Sequence, residues 1–165
     1  MNSEKIIAFN QQQIEHAQRV RELVLRFCYD LIWEVNQHDN SKFAGKEYFA
    51  FIESRESLNN SPDGKDAEYQ KHLNSDAIQS HITSNAHHPE YWDKQKTMMP
   101  ITEAIIMYFD WMARSHQRGT KMKDFWAFNT EKLKNQPEAL ALVEYLRKSL
   151  ESPAYQLMGV NGAPL

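Results

Sequence analysis

The sequence contains little cysteine and little glycine, and each shortage excludes some classes of protein. Its single cysteine, Cys28, cannot form an intramolecular disulfide, which indicates a reducing compartment. Cys28 falls on an apolar helical stripe, so we expect it to be a small core residue. The sequence has 5 glycines and contains no phosphate-cradling glycine loop, dinucleotide fingerprint or Gly-x-Ser-x-Gly elbow. It therefore lacks the signatures of nucleotide-cradling enzymes and of serine-nucleophile hydrolases.

An excess of basic charge and a long apolar run are also missing. Lys and Arg number 19 against 22 Asp and Glu, a net charge of −3, so no overall field attracts a nucleic acid duplex or an anionic membrane. No run is long enough to cross a bilayer, and MNSEK at residues 1–5 begins no apolar signal segment. We expect a cytoplasmic protein without a membrane or duplex partner.

Apolar residues recur every three or four positions through most of the chain, and alternating strand patterns are absent. Residues 3–37 contain no Gly or Pro and predict one long helix, or two in close succession. Further helices are predicted at about 44–54, 67–84, 124–133 and 137–150, with a polar loop at 55–66. Another helix is predicted to begin at Ile101, with an apolar run to Ala113, and to end at Gly119. The pattern predicts an all-α, single-domain bundle of five to six helices over residues 1–152, followed by an irregular tail, residues 153–165.

An imidazole and a carboxylate stand side by side at the end of the first helical pattern, as His38 and Asp39. Both groups are ordinary ligands of divalent Mn, Fe, Ni or Zn. In isolation, His38 is better explained by the dipole at a helix C-terminus and Asp39 by solvation. The other residues of suitable type favour a metal site; they are His16, His81, His87, His88 and Asp110.

Asp110 is predicted to lie in an apolar helix, where a buried carboxylate needs a partner. That partner is either a metal ion or Arg114, four residues further on, and the apolar surroundings favour the metal. Glu103 precedes Asp110 by seven residues and shares its helix face.

His87 and His88 come directly before Pro89, which disfavours a helical conformation at His88. The two histidines are therefore predicted on a turn, with only one of them pointing inward. They could instead be turn residues that pack on Tyr91 and Trp92.

The order of these residues resembles the HD-domain superfamily of metal-dependent phosphohydrolases, which has an early histidine, a His-Asp pair, later histidines and a helical aspartate. HDNSK, at residues 38–42, is similar to the His-Asp-x-x-Lys form of some branches. HDNSKF, NAHHPEYW at residues 85–92 and the acidic helix ending at Ala113 are also similar to an uncharacterised family of short phage and bacterial proteins. The resemblance covers residues 16–113.

The resemblance implies an HD-like helical fold and hydrolysis of a nucleotide or other small phosphate ester by metal-activated water. One or two divalent ions would be bound, with Mn, Fe, Ni, Co, Mg and Zn as candidates. Asp39 would bridge two ions, and His81 with His87 or His88 would hold the second. Glu103 would orient a ligand from behind, as a hydrogen-bond partner of the metal-binding side chain.

Lys42 and His16 complete the predicted site. Lys42 would hold a phosphate, because a fixed ammonium beside a metal attracts an anion, although it could also be a surface residue. His16 matches the early histidine of the superfamily only if the first helix breaks, since one uninterrupted helix would separate it from His38 by roughly 30 Å.

Three other functions remain open. The resemblance also implies a minority branch of di-iron oxygenases. A structural metal protein would have a closed coordination sphere. A non-catalytic phage or bacterial accessory protein could bind a protein partner through the loop at 55–66.

Overall fold

The computed structural model describes residues 3–43, 45–59, 75–118, 126–127 and 129–150. Over these residues the chain forms helices and no strand, which confirms the predicted all-α fold. The α-helices are α1 Ser3–Gln37, α2 Gly45–Asn59, α3 Asp76–Ser84, α4 Pro89–Gln95, α5 Ile101–Arg118 and α6 Pro137–Leu150. Two 3₁₀ helices, Asn40–Phe43 and Thr130–Leu133, precede α2 and α6.

The chain divides into two compact units, Met1–Gln37 and His38–Leu165. In the first, α1 runs without interruption for 35 residues, as the absence of Gly and Pro predicts. Cys28 is exposed, so its prediction as a core residue is wrong. The physical reason is that α1 contains no buried residue, so its apolar stripe does not mark a core. The single domain over residues 1–152 stays a prediction, and the tail at 153–165 lies outside the described residues.

The core of the second unit is built around α5 and α6. Residues of α5 are buried at a helical spacing of three and four, at Ala104, Met107, Tyr108, Trp111 and Ser115. These α5 residues except Ser115 join a cluster to which α6 and its approach add Leu133, Ala139 and Val143. This packing anchors the helix that carries Asp110.

Helices α2, α3 and α4 form the other part of the second unit, with α3 packed against both neighbours. Gly45 opens α2 with φ 68°, a left-handed conformation that glycine adopts readily. Ser75 caps α3, because its Oγ accepts from the Ile78 N–H at 3.4 Å. Asn85 ends α3 by donating its backbone N–H to the His81 carbonyl. The local sequence thus places Glu47 near the start of α2 and His81 near the end of α3.

The predicted turn after α3 is confirmed. His88 is extended, with φ −106° and ψ 133°, and Pro89 occupies the first turn of α4. This agrees with the restriction that proline places on its predecessor and with its preference for the first helical position.

Several predicted boundaries differ from the structure. Helix α4 was not predicted, and α2 continues to Asn59, so residues 55–59 are helical instead of forming a loop. Helix α5 ends at Arg118, which agrees with the end predicted at Gly119. Residues 60–66 and 67–74 lie outside the described residues. Residues 130–133 of the predicted 124–133 helix adopt a 3₁₀ conformation, whereas α6 matches its prediction. No helix in the described part of the chain has the length and apolarity needed to cross a membrane.

Candidate metal centre

The candidate ligands come from connections between helices and from two of the helices themselves. His38 and Asp39 follow Gln37 directly, and the Lys42 N–H donates to the Asp39 carbonyl at 2.9 Å to close the first 3₁₀ turn. His81 lies on α3, and His87 and His88 lie on the turn before α4. Asp110 is contributed by α5. We call these six residues, Lys42 excluded, the candidate metal centre.

The Asp39 carboxylate lies between imidazoles on both sides. Its Oδ1 is 3.4 Å from His81 Nε2 and 3.7 Å from His87 Nε2, and its Oδ2 is 3.6 Å from His38 Nε2. The ligand atoms form two groups, each within 4.8 Å: His38 with Asp39 and Asp110, and His81 with His87 and His88. Asp39 thus contacts histidines of both groups.

Three imidazole nitrogens of the centre are buried without a hydrogen-bond partner. They are His81 Nε2, His87 Nε2 and His88 Nε2. Leaving a buried polar group without a partner costs about 1–3 kcal/mol, so three of them beside the Asp39 carboxylate call for a group that satisfies their lone pairs together. A divalent cation fits this donor set, since imidazole nitrogens and a carboxylate oxygen are its usual ligands.

The protonation states suit metal binding. Burial lowers the pKa of His87 to about 3, against the opposing attraction of Asp39. Burial and the neighbouring His87 likewise hold the pKa of His88 well below its usual value. Both imidazoles are therefore neutral at physiological pH and have a free lone pair. Burial works against ionisation of Asp39, but His81 and Lys42 outweigh it and hold its pKa well below the usual range.

Lys42 lies at the centre and not on the open surface, with its side chain 15% exposed. Its Nζ is 2.6 Å from Asp39 Oδ1 and 2.7 Å from Asp39 Oδ2. Its ammonium also approaches the Phe51 ring, 5.8 Å from the centroid. A fixed positive charge therefore borders the candidate metal centre, and its role toward phosphate stays a prediction.

Asp110 lies beside Arg114 and also among the candidate metal ligands. Arg114 Nε lies 3.9 Å from its Oδ1, and Asp110 also groups with His38 and Asp39. The two interpretations are compatible, because a carboxylate has two oxygens with several lone pairs.

Two ligand predictions change. His87 and His88 both contribute atoms to the centre, with ring centroids 4.2 Å apart, so the prediction that only one points inward is wrong. His87 lies within the turn and not in an extended strand, so the side chains of His87 and His88 do not alternate to opposite sides. His16 lies roughly 30 Å from Gln37 along α1, which has no break. The condition under which His16 would be a ligand, a break in the first helix, is therefore not met.

Two further carboxylates, Glu103 and Glu47, bear on the surroundings of the candidate ligands. Glu103 lies on α5 with Asp110 but in neither ligand group, and its orienting role stays a prediction. Glu47, which sequence reasoning missed, places Oε1 2.9 Å from His81 Nδ1. Nothing in the spacing distinguishes Glu47 from Glu53 on the same helix, because its contact with His81 arises from packing.

The fold and the site together define the chain as an all-α protein with a candidate metal centre of histidines and carboxylates. The model of DUF5662, a family of unknown function, matches residues 5–152, and the chain belongs to this family. No curated protein and no solved structure matches the chain significantly.

Proposed function

We propose that this protein is a metal-dependent phosphohydrolase that acts on a nucleotide or another small phosphate ester. The observation that carries the proposal is the convergence of three buried imidazole nitrogens, all without a hydrogen-bond partner, beside the Asp39 carboxylate. The resemblance of the HDNSK segment to the HD-domain superfamily supports the same class. The single cysteine supports a cytoplasmic setting.

The donor set ranks the candidate metals. One ion would be held by His38, Asp39 and Asp110, and a second by His81, His87 and His88, with Asp39 contacting both groups. Three imidazoles in one group suit Mn, Fe, Co, Ni or Zn better than Mg, which prefers oxygen ligands. We therefore expect Mg to support the lowest activity.

The residues of the chain would divide the chemistry between them. A bound divalent cation supplies Lewis acidity, lowering the pKa of water and neutralising charge on phosphoryl oxygens. Asp39 remains ionised and balances positive charge, while neutral His87 and His88 provide lone pairs. Lys42 has three N–H donors, and its contacts with the two Asp39 oxygens leave one for a phosphoryl oxygen.

The test combines metal analysis with turnover. Elemental analysis of protein purified without added metal is followed by phosphate-release assays on nucleotides, cyclic nucleotides and simple phosphate esters with Mn, Co, Ni, Mg, Zn and Fe(II). We expect bound transition metal and metal-dependent phosphate release. Asp39→Asn should lose both, whereas Asp30→Asn, at an exposed position of α1, should retain both.

The other outcomes separate the alternative functions. Bound metal without turnover would favour a structural metal protein. Oxygen consumption with Fe(II) in place of phosphate release would favour a di-iron oxygenase. Absence of metal after incubation with every ion would overturn the proposal and favour a non-catalytic helical protein.

A further inference from the structure

The His81 ring lies between two carboxylates on opposite edges. Glu47 Oε1 is 2.9 Å from Nδ1, and Asp39 Oδ1 is 3.4 Å from Nε2. His81 is almost fully buried, with its side chain 3% exposed, and Glu47 is 16% exposed. Water therefore has little access to the ring, and these contacts decide which nitrogen carries the proton.

A neutral imidazole has one N–H donor and one acceptor, whereas a carboxylate only accepts. With the proton on Nδ1, His81 donates to Glu47 at 2.9 Å, and its Nε2 lone pair faces Asp39 Oδ1 at 3.4 Å, an oxygen that already contacts the Lys42 ammonium at 2.6 Å. With the proton on Nε2, Nδ1 would face a Glu47 oxygen at 2.9 Å, so the closer of the two carboxylate contacts would pair acceptor with acceptor. That second arrangement would instead use Asn85 Nδ2 at 3.0 Å and Ser41 Oγ at 3.4 Å as donors to Nδ1.

The geometry favours the first arrangement. Asn85 Nδ2 already donates to the His81 carbonyl at 2.8 Å, so this amide has its partner without Nδ1. The Ser41 contact is long. The Glu47 contact is shorter and involves a charged acceptor, and such hydrogen bonds are roughly twice as strong as neutral ones.

We propose that Glu47 is a positioning residue that holds His81 in the Nδ1–H tautomer and so turns the Nε2 lone pair toward the candidate metal centre. A carboxylate behind a ligating histidine fixes the ring and raises the basicity of the ligand. The consequence for metal binding rests on the proposed function, but the tautomer itself does not.

The tautomer can be read directly in metal-free protein. Long-range ¹H–¹⁵N correlation spectra of ¹⁵N-histidine-labelled protein at pH 8.5 distinguish the two neutral forms, and His81→Gln identifies the signal. We expect protonated Nδ1 and unprotonated Nε2 in the wild-type protein. Protonated Nε2 in the wild-type protein would overturn the inference.

Variants then test whether Glu47 is the cause. Glu47→Ala removes the acceptor and leaves Asn85 and Ser41 as donors, so His81 should switch to the Nε2–H tautomer. Affinity for Ni or Zn, measured by competition with a chelating dye, should fall about 10–100-fold. Glu53→Ala, at an exposed position of the same helix, should change neither quantity.

A purely structural role of Glu47 would lower the melting temperature without moving the tautomer, and that outcome would overturn the inference. If Glu47→Ala does not fold, Glu47→Leu keeps most of the side-chain volume without offering an acceptor and should give the same switch. An unchanged tautomer with unchanged affinity in Glu47→Leu would also overturn it.

Failure of this inference is distinguishable from failure of the proposed function. If the tautomer switches in Glu47→Ala but the protein binds no metal, the positioning role of Glu47 is supported and the proposed phosphohydrolase activity is overturned. Metal-dependent turnover with protonated Nε2 on His81 would do the reverse.

Discussion

The second unit contains two buried polar regions, and they differ in how completely their atoms are hydrogen-bonded. In the region between α4 and α6, Gln136 is 2% exposed, accepts from the Met99 N–H at 2.8 Å and donates to Asp93 at 2.8 Å and to the Thr97 carbonyl at 3.2 Å. Asn135 occupies the other Asp93 oxygen at 3.1 Å. Each polar group of this network has a partner within the chain.

The candidate metal centre is as deeply buried but less satisfied. Its buried atoms include three imidazole nitrogens without a hydrogen-bond partner, and they lie beside the Asp39 carboxylate. The residue types differ accordingly, since amides supply donors and acceptors together, whereas neutral imidazoles and a carboxylate supply a surplus of lone pairs. The comparison teaches that a satisfied polar network holds elements together, whereas a surplus of acceptors indicates a cation.

The largest expected effect separates the two carboxylates of these regions. Asp39→Asn should reduce metal affinity by more than about 100-fold and abolish turnover, because it removes the charge that balances the cation. Asp93→Asn should change stability and leave metal affinity within about threefold, since it lies in the satisfied network. Isothermal titration with Ni or Mn measures both. Equal losses in the two variants would contradict the distinction.

The second effect concerns the satisfied network. Gln136→Ala leaves the Met99 N–H without its acceptor and Asp93 Oδ1 without its donor, and should lower the free energy of unfolding by about 2–3 kcal/mol. Gln11→Ala, at an exposed position of α1, is the control and should change it by less than about 0.5 kcal/mol. Urea denaturation measures both, and metal affinity should be unaffected in either variant. A Gln136→Ala loss no larger than the control would mean that the network contributes little.

The third effect is the pH dependence of metal-free protein. The pKa of His87 is about 3 in the folded state against 6.5 normally. Between pH 3 and pH 6.5 the unfolded chain binds a proton that His87 does not bind in the folded protein. The contribution of His87 to the free energy of unfolding is therefore fully present above pH 6.5 and is lost as the pH falls toward 3. His88 acts in the same direction, and each group contributes a slope of up to about 1.4 kcal/mol per pH unit.

Urea denaturation between pH 4 and 8 measures this slope. His87→Gln should flatten it, whereas Gln136→Ala should lower the whole curve without changing its slope. A curve of unchanged slope in His87→Gln would show that the imidazole does not carry the effect.

The smallest expected effect concerns Lys42. Lys42→Met should raise KM for the phosphate ester roughly tenfold, the value of one hydrogen bond to a charged group. Metal affinity should stay the same or rise, because the ammonium competes for both Asp39 oxygens. Lys134→Met, at an exposed position, is the control. Loss of metal in Lys42→Met would remove its assigned role.

Local signals account for what the sequence could predict. Periodicity and the absence of Gly and Pro predicted α1 and α6, and residue types alone identified His38, Asp39 and Asp110 as candidate ligands. The sequence pattern did not predict α4, because proline commonly ends a helix, whereas Pro89 is the first residue of this one.

The remaining features depend on packing between distant segments. Glu47 and His81 are 34 positions apart, and their contact exists only because α2 packs against α3. The contacts of Asp39 with imidazoles on both sides likewise require three segments to meet, residues 38–39, α3 and the turn before α4. No spacing in the sequence encodes either arrangement.

The turn between α3 and α4 would also affect how quickly a metal ion could enter the candidate metal centre. Pro89 has a fixed φ, and it restricts His88 to extended conformations in the unfolded chain as well as in the folded one. The two candidate ligands on this turn, His87 and His88, therefore belong to a segment with few conformations left to lose. Because little ordering remains to be done on binding, metal uptake should be fast and governed by the release of water from the ion instead of by rearrangement of the chain.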